Sequence, residues 1–228
     1  NQYSITPKYL KVIYRGINTK IFNSNNVNSE RLEELKKQYS LESDSIKILL
    51  PGRLTGWKGH SVLVQAVAKV IKSVQNKIEV LFVGPDDNLG LKKRLKDQIE
   101  GLNMTELFHF IGSSDEMTNI YALSDIVISS STDPEAFGRI AVEAQSMGKF
   151  VIASNHGGAV ETVIDNETGY LYSPQSHGEL ADKIIQSIEQ HKYNSSNVSA
   201  AGIKNVKENY TVEAMCKETL EFYKRIIL

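Results

Sequence analysis

The sequence predicts an α/β fold built on a doubly wound sheet of six parallel strands. Six short runs rich in Ile, Val, Leu and Phe alternate with longer segments whose apolar residues recur every three or four positions. The runs are 46–50, 78–84, 107–112, 125–130, 149–154 and 169–173. Because each run is too short for a helix and is followed by a helical segment, the strands should lie parallel and be joined by crossover helices. This arrangement is Rossmann-like.

The helical segments are predicted from their apolar spacing. The broadest apolar stripe lies in 59–74, where valines and an isoleucine recur on one face. The others are 28–40, 89–102, 115–124, 138–148, 179–191 and 198–228. Within the last of these, 209–211 should separate two helices, with Thr211 capping the second. The Asn/Ser-rich stretches 23–29 and 194–197 are predicted to be loops.

Composition and charge exclude several classes of function. The 228 residues fit one large α/β domain, and a net charge of −1 argues against a nucleic-acid partner. The single cysteine, Cys216, cannot form a disulfide within the chain. No run approaches 18 apolar residues and the polar start is no signal peptide, so we expect a cytoplasmic protein. The chain lacks an initiating methionine, and we expect it to be a fragment of a longer protein.

The loop after the first strand, 51–60, carries two cations between glycines. Ligands of doubly wound sheets bind beyond the carboxyl ends of the strands, so this loop should face the ligand. Gly52 would let the backbone approach it, and Arg53 and Lys58 suit a diphosphate. The loop lacks the Walker pattern. The alternative is a loop with solvated basic residues.

The loops after the second, third and fifth strands are less specific. In 83–88 a turn is followed by residues that would most simply cap the next helix. In 111–117, exposed backbone groups could read a base edge, although a capping Ser114 or Asp115 explains the stretch equally well. Another glycine-rich loop, 154–161, enters a helix.

The stretch 133–149 places two glutamates around a helix start. Pro134 favours a helix, and the free N–H groups of Phe137 to Arg139 in its first turn would form an anion site, with Gly138 leaving room for a phosphate. Glu135 lies just outside, where it could accept hydrogen bonds from sugar hydroxyls. Glu143 lies in an apolar run and therefore needs a partner, such as a ribose. A capping carboxylate and a surface carboxylate are the alternative.

Together, two cations, one helix N-terminus and two carboxylates at one sheet edge fit a diphosphate that links a sugar to a nucleoside. The residues that carry this pattern resemble the C-terminal, donor-binding domain of retaining glycosyltransferases of family 4, which have the two-domain GT-B fold. The matching segments are VIYRGINTKIF (12–22), GRLTGWKG (52–59), VLFVGPD (80–86), FIGSSDEM (110–117), EAFGRIAVEAQSMGKFVIAS (135–154) and GGAVETVIDNETGYLY (157–172). Arg15 departs from the family, which more often has Asn there.

The resemblance implies a role for each matching residue. Arg53 and Lys58 would neutralise the leaving diphosphate, Glu135 would bind the donor sugar, and Glu143 would hold the ribose. The residues implied to be catalytic are Arg53, Lys58 and Glu135; those implied to bind the donor are Gly52, Ile111, Phe137, Gly138, Arg139 and Glu143. Backbone near Ile111 would read the base. The resemblance implies no metal and no cofactor, and a UDP- or GDP-sugar as donor.

The resemblance also implies the organisation of the chain. Residues 1–22 would form an interdomain linker and first strand, 23–210 the donor-binding domain, and 211–228 a helix that packs back on an N-terminal domain absent here. That domain would bind a sugar or lipid-linked acceptor, so this fragment should bind donor but not transfer sugar. The longer protein would act in polysaccharide biosynthesis, in the cytoplasm or at the inner face of the membrane. The alternatives are a non-catalytic nucleotide-sugar-binding or structural GT-B module, a nucleotide-sugar 2-epimerase, and a plain nucleotide-binding module.

Overall fold

The computed structural model describes residues 9–87 and 89–227, and of residues 191–196 only the helical backbone. Within this part of the chain, six strands form one parallel sheet in the order β3-β2-β1-β4-β5-β6. The strands are β1 (Ile46–Pro51), β2 (Ile78–Val83), β3 (Phe108–Gly112), β4 (Ile126–Ser129), β5 (Phe150–Ser154) and β6 (Tyr170–Tyr172). The predicted doubly wound sheet is confirmed, with nearly the predicted strand bounds.

Eight α-helices lie in the described residues. They are α1 (Ser29–Gln38), α2 (His60–Ser73), α3 (Leu91–Gly101), α4 (Met117–Leu123), α5 (Arg139–Ser146), α6 (Ala159–Thr162), α7 (His177–Asn209) and α8 (Val212–Ile227). The predicted break before α8 is confirmed, and the Thr211 hydroxyl caps α8 by accepting a 3.0 Å hydrogen bond from the Ala214 N–H. None of the described helices is long and apolar enough to cross a membrane.

Three local predictions are wrong. The stretch 194–197 continues α7 instead of forming a loop, and 23–29 contains a short 3-10 helix at Ser24–Asn26. The predicted cap of α3 in 83–88 is also wrong: its N-cap is Gly90, with no side-chain cap bond, and Asn88 lies outside the described residues. Helix α5 begins at Arg139, within the predicted first turn (137–139), and Gly138 is its N-cap in the left-handed conformation (φ 75°).

The apolar strands bury both faces of the sheet. In β1, Ile48 and Leu50 face one core with α2, α3 and α7, whereas Leu49 faces a second core with α1, α4 and α5. Successive strand residues point to opposite faces, and helices cover both, so each strand is a nearly continuous apolar run.

The strand that the resemblance implies within 1–22 does not form in residues 9–22. Ile17 makes only an isolated bridge with Thr211, through hydrogen bonds from its N–H to the Tyr210 carbonyl (2.9 Å) and from the Val212 N–H to its own carbonyl (3.1 Å). The partner is the short junction between α7 and α8, which offers extended backbone for one bridge and no longer ladder. Residues 1–8 of the predicted linker lie outside the described residues, and the division at 22 and 210 stays a prediction.

The sheet order positions one crevice. The chain steps outward from β1 in two directions, to β2 and β3 on one side and to β4, β5 and β6 on the other. The loops after β1 and β4 therefore leave the sheet on opposite faces and separate at the carboxyl edge.

Candidate functional site

A cleft of about 770 Å³ lies at this carboxyl edge. Its size is within the range of small-molecule sites. It is lined by residues from the ends of β1 to β4 and from α4 and α5: Arg15, Pro51, Gly52, Arg53, Trp57, Lys58, Val83, Gly84, Pro85, Ser113, Ser114, Met117, Tyr121, Glu135, Arg139, Ile140 and Glu143. The loops after β1 to β4 converge, and together with α5 they bring six of the nine predicted site residues to one cleft, whereas the loop 154–161 contributes none of the lining residues.

Glycines hold these loops against one another. A Cβ on Gly84 would lie 2.1 Å from the Gly52 carbonyl oxygen, and one on Gly59 would lie 1.8 Å from the Ser130 carbonyl oxygen. Gly59 also has φ 73°, in the left-handed region. At these two positions glycine permits loop-to-loop packing, while Gly52, which was predicted to let the backbone approach a ligand, lines the cleft.

Lys58 and Glu135 form an ion pair at the floor of the cleft. The Lys58 ammonium lies 2.7 Å from Oε1 of Glu135, and the two side chains are only 13% and 15% exposed. The Ser131 hydroxyl donates to the same carboxylate oxygen, and the ammonium lies 4.3 Å from the centroid of the Trp57 ring. A positive and a negative group are therefore fixed side by side, where a phosphate and a sugar hydroxyl could each find a partner.

Glu143 is buried in the wall of the cleft with both carboxylate oxygens bonded. The Tyr121 hydroxyl donates to Oε2 at 2.8 Å, and the Arg139 Nε donates to Oε1 at 2.5 Å. Burial, and then the Glu143 charge, raise the pKa of the Tyr121 hydroxyl well above its usual value, so this group stays a donor. The prediction that Glu143 needs a partner is thus confirmed, and the partners in this structure are the side chains of Tyr121 and Arg139.

The cleft is positively charged. Its lining holds the cations Arg15, Arg53, Lys58 and Arg139, but only two carboxylates. Such an excess attracts an anion of charge about −2, as a diphosphate diester carries. Helix α5 adds to this field, because its first internally bonded N–H is that of Ala141, to the Gly138 carbonyl at 3.0 Å. The preceding N–H groups lie at the free N-terminal end of the helix.

Three predicted residues do not line the cleft among the described residues. Ile111 packs against the second core, and the serines that follow β3, Ser113 and Ser114, line the cleft instead. Phe137 packs on Tyr210, with ring centroids 5.9 Å apart. Gly138 is buried and acts as the N-cap of α5, where a Cβ would lie 3.2 Å from Oγ1 of Thr162.

Sequence reasoning missed Tyr121, Ser131 and Trp57. Tyr121 occupies an apolar position of α4, where nothing in the spacing distinguishes a hydroxyl donor from core packing. Ser131 and Trp57 lie in the predicted ligand loops, so their positions could have been considered. In the described residues, no group of three His, Cys, Asp or Glu side chains is placed to hold a metal ion.

His60, at the start of α2, is an unusual neighbour of the cleft. Its side chain is 1% exposed, and neither ring nitrogen has a hydrogen-bond partner in the described structure. Burial, and then the nearby Lys58 charge, lower the pKa of His60 to about 4. The imidazole is therefore neutral at physiological pH.

Comparison with known proteins places this fold and cleft in a family. The family model described as "Glycosyl transferases group 1" matches residues 32–204, and the chain belongs to this family. Its sheet and helices match the C-terminal half of the GT-B fold, as the sequence resemblance implied.

Individual proteins agree with this assignment. An uncharacterised glycosyltransferase of Methanocaldococcus jannaschii is 29% identical over 98% of this chain and 54% of its own length. A Rickettsia africae glycosyltransferase structure superposes with a TM-score of 0.94 at 36% identity, over 99% of this chain and 59% of its own. The Anabaena protein HepE, solved in complex with UDP-glucose, gives 0.86 at 26% identity, over 98% of this chain and 60% of its own. The chain thus spans about half the length of the curated relatives it matches.

Proposed function

We propose that this chain is the donor-binding half of a retaining glycosyltransferase. The whole protein would transfer a hexose from a nucleotide-diphosphate sugar to an acceptor hydroxyl. One observation carries the proposal: four cations and two carboxylates, supplied by Arg15, by the loops after β1 and β4 and by helix α5, line one cleft beside the N-terminus of α5. The UDP-glucose bound by the similar Anabaena protein supports a nucleotide sugar as donor.

The geometry supports different roles for the residues of the cleft, each binding a different part of the donor. Glu143, fixed by Tyr121, would accept hydrogen bonds from the ribose, and Glu135 from the donor sugar. Arg53 and Lys58 would stabilise the diphosphate as negative charge develops on it. Ser113 and Ser114, which follow β3, replace Ile111 as the residues expected near the base.

Metal-independent catalysis is part of the proposal. Side-chain cations and the amides of a helix N-terminus can neutralise a leaving diphosphate, which is the electrostatic work that a metal ion does elsewhere. The cationic excess of the cleft supports this reading. Retention of anomeric configuration follows only from the resemblance to family 4, and stereochemical analysis of the product would test it.

The remaining proposals concern the longer protein. An N-terminal domain would bind the sugar or lipid-linked acceptor, and α8 would pack against it; the exposed apolar residues Leu220, Tyr223 and Ile227 on α8 support such a contact. The 228-residue chain should therefore bind donor without turnover. A cytoplasmic site of action, including the inner membrane face, and a part in polysaccharide biosynthesis are further proposals.

Calorimetric titration with UDP, GDP and ADP, and with their sugar conjugates, in the presence of a chelator tests the function. We expect one nucleotide series to bind, and Glu143→Ala to weaken both the free diphosphate and its sugar conjugate. Glu135→Gln should weaken only the conjugate, because Glu135 faces the sugar and not the nucleoside. Absence of binding to every diphosphate would contradict the proposal for this chain. Equal effects of both variants on the free diphosphate would contradict the assignment of Glu143 to the ribose and Glu135 to the sugar.

A further inference from the structure

The two partners of the Glu143 carboxylate differ in how firmly they are held. Tyr121 is fully buried in α4, and its ring packs edge-on against Phe22 with centroids 6.0 Å apart. Its hydroxyl cannot leave Oε2 of Glu143 without breaking the core. Tyr121 therefore determines the orientation of the carboxylate.

Arg139 is held much less firmly. Its side chain is 73% exposed, although the carboxylate it contacts is only 8% exposed. It lies one helical turn before Glu143 on α5, and water can solvate its exposed guanidinium when the contact breaks. The guanidinium can thus leave Oε1 at less cost than the Tyr121 hydroxyl can leave Oε2, provided that a ligand hydroxyl takes its place on the buried carboxylate.

We propose that Arg139 competes with the ribose for Oε1 of Glu143, so that nucleoside binding requires the Arg139 guanidinium to move away. This inference rests on the proposed function, in which Glu143 accepts the ribose hydroxyls. The buried Tyr121 hydroxyl holds Oε2, whereas Oε1 is bonded to the exposed guanidinium, so Oε1 is the oxygen whose partner a ligand can replace. Because Arg139 reaches the same oxygen at 2.5 Å, the two cannot both use it fully.

The competition predicts the direction in which nucleoside affinity changes when Arg139 is replaced. Removing the guanidinium should make a nucleoside bind more tightly, because the nucleoside no longer displaces a partner of Glu143. From the usual strength of exposed ion pairs, the gain is about two- to fivefold at low ionic strength. A residue that binds the nucleoside directly would give the opposite sign, and a purely structural surface residue would give no change.

The test uses uncharged nucleosides, so that phosphate contacts do not contribute. Uridine, guanosine and adenosine are titrated by NMR into the unmodified chain, Arg139→Gln and Arg94→Gln. Arg94 lies on α3 outside the cleft lining and serves as a charge-matched control. We expect Arg139→Gln to tighten binding at low salt, Arg94→Gln to leave it unchanged, and the advantage of Arg139→Gln to disappear at about 1 M salt, where the pair in the unmodified chain is screened.

The outcomes separate this inference from the proposed function. If the unmodified chain binds a nucleoside and Glu143→Ala abolishes binding, but Arg139→Gln weakens binding or leaves it unchanged, competition by Arg139 is refuted and the function stands. Tighter binding that persists unchanged at high salt would also refute an ion-pair competitor. If the unmodified chain binds neither nucleosides nor nucleoside diphosphates, the proposed function fails and this inference fails with it.

Discussion

Protonation of His60 should destabilise the protein in mild acid. The imidazole is buried against the Phe82 ring, with centroids 5.0 Å apart, and both ring nitrogens lack a hydrogen-bond partner in the described structure. A proton on this ring would place an unpaired charge in the core beside the Lys58 ammonium. The unfolded chain accepts the same proton freely, so acid favours unfolding.

The size of the effect follows from the two pKa values. The pKa of His60 is lowered to about 4 in the folded protein, against 6.5 for an unperturbed histidine. The unfolded state therefore binds more protons between these values, and the contribution of His60 to stability is complete above pH 6.5 and is lost as the pH falls toward 4. At pH 5 the loss is about 2 kcal/mol, from 1.36 kcal/mol for each pH unit below 6.5. For a chain of this length, that loss lowers Tm by about 4–8 °C.

Urea unfolding of the 228-residue chain between pH 8 and 5 measures this loss. His60→Gln is the matched variant, because its side chain is neutral throughout this range and all other titrating groups are retained. We expect the unfolding free energy of the unmodified chain to fall by about 2 kcal/mol more than that of His60→Gln. Parallel pH profiles for the two proteins would refute the reasoning that burial keeps His60 neutral.

Two further substitutions test the packing around the cleft. Tyr121→Phe leaves one oxygen of a buried carboxylate unpaired and should lower the unfolding free energy by about 1.5–3 kcal/mol. Tyr172→Phe removes a bond to a neutral serine hydroxyl and should lower it by only about 0.5–1.5 kcal/mol. Similar losses for the two variants in urea unfolding would argue against a charge-assisted bond. Gly59→Ala forces a Cβ against the Ser130 carbonyl at a positive φ and should lower the unfolding free energy by more than about 2 kcal/mol. In the control Gly56→Ala the new Cβ would meet nothing within 4 Å, so the unfolding free energy should hardly change. A stable Gly59→Ala protein in thermal unfolding would contradict this interlocking of the loops.

The sheet was predictable because each strand is buried on both faces. Runs such as 78–83 are apolar at every position except Glu79, and the helices between the runs have clear three- and four-residue spacing. The strand that the resemblance implied within 1–22 did not form, because Ile17 meets only the α7–α8 junction and makes a single bridge. Local composition could not reveal that no neighbouring strand is available to it.

The sequence predicted which loops form the site, but it did not predict the side-chain contacts between elements. Arg53, Lys58 and Glu135 lie in the loops that follow β1 and β4, and Glu143 lies in the helix that follows the second loop, so parallel topology brings them to one edge. Tyr121 reaches Glu143 from a different helix, 22 residues earlier, and no local pattern encodes that meeting. The start of α5 was predicted within its first turn, and the left-handed Gly138 fixes it at Arg139, five residues after Pro134.

The backbone packing of Gly52 with Gly84, and of Gly59 with Ser130, separates the shape of the cleft from its chemistry. The walls are set by main-chain atoms of loops that touch directly, and those contacts do not depend on which side chains point inward. Side chains such as Arg15, Trp57 or Ser114 can therefore be exchanged without moving the walls. The donor preference of such a cleft can change by single substitutions, because each substitution alters the contacts with the donor and leaves the main-chain walls in place.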